Sequence, residues 1–244
     1  MTSSSGFSGK TGVYSQFRPS YPQAALDYLA NEAGLSGQEL AEPGCGTGIF
    51  TLLAARFARF VYGVDNNADM LAASREATSA CPNIKISEGT AEHTGLPGQS
   101  VDAVIAAQAF HFFDKEAFRN ECRRIMRPGG KVALIWNSLL EGTLVERLGL
   151  LSGAKFRSGL LAGNPEMVAG FYPGDQYERQ VIPNFQAQTR EMFIGRYLSS
   201  SYAPRKGEPG YEAHLTKLNQ IFDDFQKEGI FDHPYYTIIY VGAL

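Results

Sequence analysis

The chain has 244 residues, with 22 Lys or Arg against 25 Asp or Glu, and a formal net charge of -3. This length fits one α/β domain, and the absence of a basic surplus gives no support to charge-driven binding of nucleic acid or anionic lipid. Three cysteines cannot complete a disulfide framework, and their spacing is not that of a metal site, so we expect no metal and a cytoplasmic protein. We also expect neither a secretory signal nor a membrane span, because apolar runs of the required length are missing from the sequence.

Residues 1–21 are predicted to form an N-terminal arm. The arm begins rich in Ser and Gly, which bury little surface, and continues with Tyr14, Phe17, Arg18 and Tyr21. We expect these four side chains to act as a flap over a ligand, with Arg18 pairing to a carboxylate. The alternative is a surface arm held in place by its aromatic rings.

From Pro22 to about residue 137 the sequence alternates amphipathic stretches with short apolar runs. Pro22 suits the first turn of a helix and Gly34 the position just past its end. The alternation that follows is typical of a parallel sheet covered by helices. The predicted strands lie near 38–42, 60–65, 83–87, 101–107 and 131–136, and the predicted helices at 47–60, 67–79 and 115–126. Asp114 is a suitable N-cap for the last of these helices, and residues 127–130 are predicted to turn.

Beyond residue 137 the pattern is less regular. Residues 138–230 are predicted to supply mainly helical, substrate-side elements, including helices at 189–200 and 211–227 and a strand near 181–186. Residues 231–244 are β-rich and are predicted to form a terminal strand of the same sheet.

A glycine-rich loop, Glu42-Pro-Gly44-Cys-Gly46-Thr-Gly48, lies between a predicted strand and a predicted helix. Glycines there let a ligand approach the backbone, and the helix start offers unpaired N–H groups. Asp65 ends the next strand, at about the distance where an acid meets ribose hydroxyls in nucleotide-binding folds. The loop therefore predicts a ligand containing adenosine. It lacks the third glycine of the dinucleotide fingerprint, and no P-loop lysine follows it.

The glycine loop and Asp65 together resemble the first two motifs of the class I S-adenosylmethionine-dependent methyltransferases. The segments Glu88-Gly-Thr-Ala-Glu92 and Arg127-Pro-Gly-Gly130 are similar to later motifs of that family. Gln108-Ala-Phe-His111-Phe-Phe looks like the methyltransferase type 11-like branch that contains trans-aconitate methyltransferases. The resemblance covers roughly residues 14 to 137.

The resemblance implies a single methyltransferase domain over 1–244 with a Rossmann-like, doubly wound sheet. That sheet would have seven strands, mostly parallel with a late antiparallel strand, and a helical cap from the C-terminal half. Residues 36–137 would form the cofactor-binding core.

The cofactor implied by the resemblance is S-adenosylmethionine. Asp65 would accept hydrogen bonds from the ribose hydroxyls, and Glu42 would meet the ammonium group. Glu42 stands where Asp is commoner in the family, and Thr90 stands where Asp often appears. The implied cofactor-binding residues are Glu42, Gly44, Cys45, Gly46, Gly48, Asp65, Asn66, Met70, Thr90, Ala91, Glu92 and Gln108.

The function implied is methyl transfer to a small-molecule acceptor, with O-methylation of a small carboxylic acid favoured by the branch. His111, which follows the fourth strand, is the candidate general base; the alternative is a histidine packed among phenylalanines. Two other functions stay open: an NAD(P)-dependent oxidoreductase and a catalytically silent cofactor-binding protein. The candidate substrate-side residues are Tyr14, Phe17, Arg18, Tyr21, His111, Trp136 and Asn137.

Overall fold

A computed structural model describes residues 20–139, 163–200 and 203–244, together with positions 142, 144, 147 and 148. Seven strands in these residues form one sheet in the order β3-β2-β1-β4-β5-β7-β6. They are β1 Glu39–Pro43, β2 Phe60–Asp65, β3 Ile84–Glu88, β4 Val101–Ala107, β5 Met126–Leu139, β6 Glu178–Gln188 and β7 Phe231–Ala243. Strands β1 to β5 are parallel, and β7 is antiparallel to both of its neighbours. The predicted Rossmann-like sheet with one late antiparallel strand is confirmed.

Seven α-helical segments accompany the sheet in the described ranges. They are α1 Gln23–Asp27, α2 Ile49–Ala54, α3 Ala68–Thr78, α4 Lys115–Ile125, α5 Pro165–Val168, α6 Arg190–Leu198 and α7 Tyr211–Phe225. The Asp114 carboxylate accepts the backbone N–H groups of Glu116 and Ala117, so the predicted N-cap of α4 is confirmed. In the part of the chain that is described, no helix has the length and apolar character needed to cross a membrane.

Several predicted boundaries differ from the structure. Helix α2 is shorter than predicted at both ends: Gly48, in the left-handed region at φ +83°, delays its start, and tighter turns follow Ala54. Strand β5 begins at Met126 instead of 131, because Met126 already pairs with Val101 of β4; residues 127–130 form the irregularity between that pair and Lys131. Strand β6 is 11 residues long, so the strand predicted near 181–186 is present, is longer than predicted and forms one edge of the sheet.

Side chains of the strands alternate between two apolar layers. Val132, Leu134 and Trp136 of β5 face one layer, while Ala133 and Ile135 face the other. Each fully buried Val, Leu or Ile side chain contributes about 1.5–3 kcal/mol through apolar burial. This burial fixes the orientation of each strand and therefore which residues lie at its end.

A third apolar cluster joins α6, α7 and the start of β7. Because β7 is antiparallel, its first residues lie beside the last residues of β5, with Tyr235 opposite Leu139. Helices α6 and α7, inserted between β6 and β7, therefore lie at the carboxyl edge of the parallel strands, where ligands of open α/β sheets bind.

Candidate active site

The glycine loop passes close to the residues that follow β4. Gly44, Gly46 and Gly48 have φ of +73°, +55° and +83°, a region that other residues rarely adopt. A Cβ on Gly44 would stand 2.6 Å from the Cβ of Ala109 and 3.0 Å from a ring carbon of Phe113. The backbone thus approaches the end of β4 more closely than any side chain would allow.

Glu42 is the second-to-last residue of β1 and is buried, with 2% of its surface exposed. The Thr51 hydroxyl donates to Glu42 Oε2 at 2.5 Å. Burial raises the pKa of Glu42 to about 8, against the lowering effect of the Thr51 hydrogen bond, and the charge of Asp65 adds to the rise. A carboxyl in this setting favours a cationic group beside it, which agrees with the predicted contact to an ammonium group.

Asp65 connects the end of β2 to the glycine loop. Its Oδ2 accepts the Gly46 N–H at 2.8 Å, and its Oδ1 accepts the Asn67 N–H at 2.9 Å. Each carboxylate oxygen can accept about two hydrogen bonds, so both retain capacity for ribose hydroxyls. Of the predicted neighbours on this side, Asn66 is exposed and Met70 is buried at the start of α3.

The turn after β3 is held against α4. Glu121 Oε1 accepts both the N–H and the hydroxyl of Thr94, at 2.8 and 2.6 Å. Burial raises the Glu121 pKa, but hydrogen bonds from Arg124 and Thr94 outweigh it and hold the pKa at about 2. Ala91 is buried, while the Glu92 carboxylate accepts the Asp114 N–H at 3.0 Å, a structural role that the sequence did not indicate.

Thr90 forms reciprocal backbone hydrogen bonds with His93 in the same turn. Cys45 is buried in the glycine loop beside Gly63, where a Cβ would stand 3.2 Å from its sulfur. Burial raises the pKa of the Cys45 thiol. Because a thiol in this state is a poor nucleophile, Cys45 fills space in a crowded turn.

Gln108 follows β4 in the left-handed region, at φ +57°. Its backbone N–H donates to Ile135 O at 2.8 Å, and its side-chain Nε2 donates to Asn137 O at 2.9 Å. A non-glycine residue held in this conformation costs about 1–3 kcal/mol, and such strain clusters at functional sites. Gln108 joins the ends of β4 and β5 next to the glycine loop.

His111 lies on a short turn, Phe110–Phe112, and is exposed. The Trp136 Nε1–H donates to His111 Nδ1 at 3.4 Å, which places the proton of a neutral imidazole on Nε2. The His111 ring also contacts the Phe112 ring, with centroids 4.0 Å apart, so a histidine packed among phenylalanines stays an alternative to the general base. Trp136 itself is fully buried, so it contacts His111 from the core instead of lining a cleft as predicted.

The predicted arm residues have different outcomes. Tyr14, Phe17 and Arg18 lie outside the described residues. The Tyr21 ring packs edge-on against Phe50 of α2, with centroids 5.0 Å apart, so it joins the apolar layer behind the glycine loop.

Two further features were missed in the sequence. Thr47, inside the glycine loop, has a buried hydroxyl with no hydrogen-bond partner. Asn137 contacts a group of polar side chains from β6 and β7, whose signal is the polar residue at every second position from Asn184 to Gln188. The buried Thr47 hydroxyl, the missing Cβ of Gly44 and the buried Glu42 carboxyl together fit a cofactor with polar and cationic groups.

An open, mostly parallel sheet with a glycine loop and two acids at its carboxyl edge defines the site of a nucleoside-containing cofactor. Residues 41–134 match the family described as "Methyltransferase domain". The sequence is 38% identical over 143 residues to an uncharacterized methyltransferase of Mycobacterium tuberculosis, covering 59% of this chain and 54% of that protein. It is 35% identical over 133 residues to an uncharacterized methyltransferase-like protein of Schizosaccharomyces pombe, covering 53% of this chain and 51% of that protein.

Solved structures share the fold over most of the chain. A proposed type II methyltransferase from Anaeromyxobacter dehalogenans has a TM-score of 0.65 and 24% identity, covering 92% of this chain and 95% of that one. A phosphoethanolamine N-methyltransferase of Haemonchus contortus, solved with phosphomonomethylethanolamine and S-adenosylhomocysteine, has a TM-score of 0.55 and 17% identity, covering 96% of this chain and 57% of that one.

The domain match and the curated relatives support a class I S-adenosylmethionine-dependent methyltransferase domain in this chain, with S-adenosylmethionine as its cofactor. The NAD(P)-dependent alternative is set aside on this ground. The chain spans about half the length of the curated relatives it matches.

Proposed function

We propose that the chain methylates a small-molecule acceptor, and that this acceptor is a carboxylic acid methylated on oxygen. The observation that carries the proposal is the arrangement at the carboxyl edge of the sheet. The glycine loop and Asp65 lie on one side of Gln108, and Asn137 with the polar side chains of β6 and β7 lies on the other. The cap of α6 and α7 lies at the same edge.

The cofactor would lie against the glycine loop. Gly44 lets the backbone pass close to it, Asp65 orients its ribose, and Glu42 and Thr47 offer a carboxyl and a hydroxyl to its polar end. S-adenosylmethionine, when bound, supplies a sulfonium methyl group that is already activated for displacement. The protein has mainly to hold the acceptor in line and to exclude water.

A carboxylate acceptor is ionised at neutral pH, so no side chain has to remove a proton from it. Two arginines are candidates for binding it. Arg18 belongs to the predicted arm. Arg196 of α6 is the one Lys or Arg that is buried among the described residues, and its Nε donates to the Tyr235 hydroxyl at 3.2 Å. Arg196 would place a guanidinium on the acceptor side of the edge, while the role of Arg18 is proposed from the sequence alone.

A hydroxyl or amine acceptor would require a base, and His111 is the exposed imidazole at the end of β4. The Haemonchus contortus structure described above holds a small acceptor, which supports an acceptor of this size here.

The test is a panel of small carboxylic acids, phenols and amines incubated with S-adenosylmethionine, followed by S-adenosylhomocysteine release and mass spectrometry of the products. We expect release with a carboxylic acid and formation of its methyl ester. Release with amines or phenols alone would overturn the carboxylate proposal. Tight cofactor binding with no release on any acceptor would favour a catalytically silent protein.

A further inference from the structure

Three side-chain amides converge on one backbone carbonyl at the carboxyl edge. Ser20 O accepts N–H groups from Asn137 at 3.0 Å, Asn184 at 2.8 Å and Gln186 at 2.9 Å. A carbonyl oxygen has two lone pairs, so three donors saturate it. Asn137 and Asn184 are 6% and 5% exposed, and hydrogen bonds in such a position are costly to lose.

The same amides form a closed network with each other. Asn137 Oδ1 accepts from Asn184 Nδ2 at 3.0 Å and from the Thr237 hydroxyl at 2.6 Å. Asn184 Oδ1 accepts from Gln186 Nε2 at 3.2 Å. Every amide orientation is set by a neighbour, so the network is rigid and β5, β6 and β7 are fixed relative to Ser20.

The network is continuous with the end of β4. Gln108 Nε2 donates to the backbone oxygen of Asn137, while Ala109, the next residue, is the one that a Cβ on Gly44 would strike. Two hydrogen bonds therefore connect the carbonyl of Ser20 with Gln108, whose neighbour Ala109 lies against the glycine loop. Ser20, the first described residue of the predicted arm, is therefore tied to the cofactor side of the site.

We propose that Asn184 is a positioning residue for methyl transfer: its amide fixes Ser20 beside Asn137, which is bonded in turn to Gln108. This inference rests on the proposed function, because it assigns Asn184 to the acceptor side of that site. Asn184 acts through Ser20 and Asn137 and need not touch the cofactor.

The experiment compares Asn184→Asp, which keeps the size but loses both amide hydrogens, with the milder Gln186→Ala. Asn83→Ala is the matched control: the Asn83 amide also donates to backbone carbonyls, of Ala55 and Ala58, but it precedes β3 at the opposite edge of the sheet. Three quantities are measured on the full chain: kcat with the best acceptor, the Kd of S-adenosylmethionine, and hydrogen exchange of residues 20–25.

We expect Asn184→Asp to lower kcat at least about tenfold and to speed exchange in residues 20–25, with the Kd of the cofactor changed less than about twofold. Gln186→Ala should do the same more weakly, and Asn83→Ala should change neither kcat nor this exchange. Unchanged kcat in a folded Asn184→Asp or Gln186→Ala protein, or a cofactor Kd that weakens in parallel with kcat, would overturn the inference. If the wild-type chain methylates nothing, the proposed function fails, and unchanged exchange would separately show that Asn184 does not hold Ser20.

Discussion

The two sides of the carboxyl edge are built from different groups. On the cofactor side, glycines with positive φ bring backbone atoms to the ligand, and Asp65 bonds backbone N–H groups. On the acceptor side, β5 to β7 present side-chain amides and hydroxyls that bond one another. A site formed by backbone atoms keeps its shape when side chains change, which suits a cofactor that stays the same. A site formed by side chains changes with each substitution, which suits an acceptor that differs between related proteins.

The largest effect is expected from Gly44→Ala. The added Cβ would strike Ala109 at 2.6 Å in a backbone conformation that disfavours alanine. We expect cofactor affinity to fall at least about a hundredfold, a difference of about 2.7 kcal/mol, as measured by calorimetric titration. Gly129→Ala has a similar φ of +82° but no atom within 4 Å of the added Cβ, so it is the control for backbone strain alone. Equal losses in both variants would contradict the close-approach account.

Asp65→Ala should come next. It removes the acceptor for the Gly46 N–H and the proposed ribose contact, so cofactor binding should weaken by about 1–3 kcal/mol. Asp69→Ala, an exposed acid in the first turn of α3, is the matched control and should bind normally. Wild-type affinity for the cofactor in Asp65→Ala would show that Asp65 does not bind the cofactor. It would also weaken the contrast between the cofactor side and the acceptor side.

The pH dependence of stability should report on Glu42. Its folded-state pKa of about 8 lies above the unfolded value near 4.5, so the folded state holds the proton more tightly. The stability from this group is complete below pH of about 4.5 and is lost as pH rises through about 8, by at most about 1.4 kcal/mol per pH unit.

Thermal unfolding of the ligand-free chain from pH 5 to 8 should therefore show a decline that Glu42→Gln flattens. Cofactor affinity should change in the opposite sense, rising over the same range as the carboxyl ionises beside the ammonium group. If the stability of Glu42→Gln fell with pH as steeply as that of the wild type, a group other than Glu42 would be responsible for the decline.

The smallest effect is expected from His111→Ala with a carboxylic acid acceptor. No proton has to be removed, so kcat should change less than about twofold, while a hydroxyl acceptor should lose about a hundredfold. Steady-state kinetics with one acceptor of each kind would separate these cases. A large loss with the carboxylic acid would make His111 a contact of the acceptor.

The cofactor side could be predicted from sequence because its signals are local. The loop from Glu42 to Gly48 is contiguous, and Asp65 follows at a spacing set by one helix and one strand. The acceptor side could not, because Ser20 and Asn184 are 164 residues apart and meet only once β6 is placed at the edge. The prediction that Trp136 lines a cleft with His111 failed because Trp136 lies within β5, where the alternation of side chains turns it into the core.

The antiparallel direction of β7 has a consequence for how acceptor preference could differ between related proteins. The insertion carrying α6 and α7 begins after β6 and rejoins the sheet at β7, so both of its attachment points lie on the far side of β5 from the glycine loop. Residues 189–230 are therefore a module that could be exchanged between related proteins without altering the strands that hold the cofactor. A chimera built at these two points would take α6 and α7 from one parent and keep the glycine loop and all seven strands of the other.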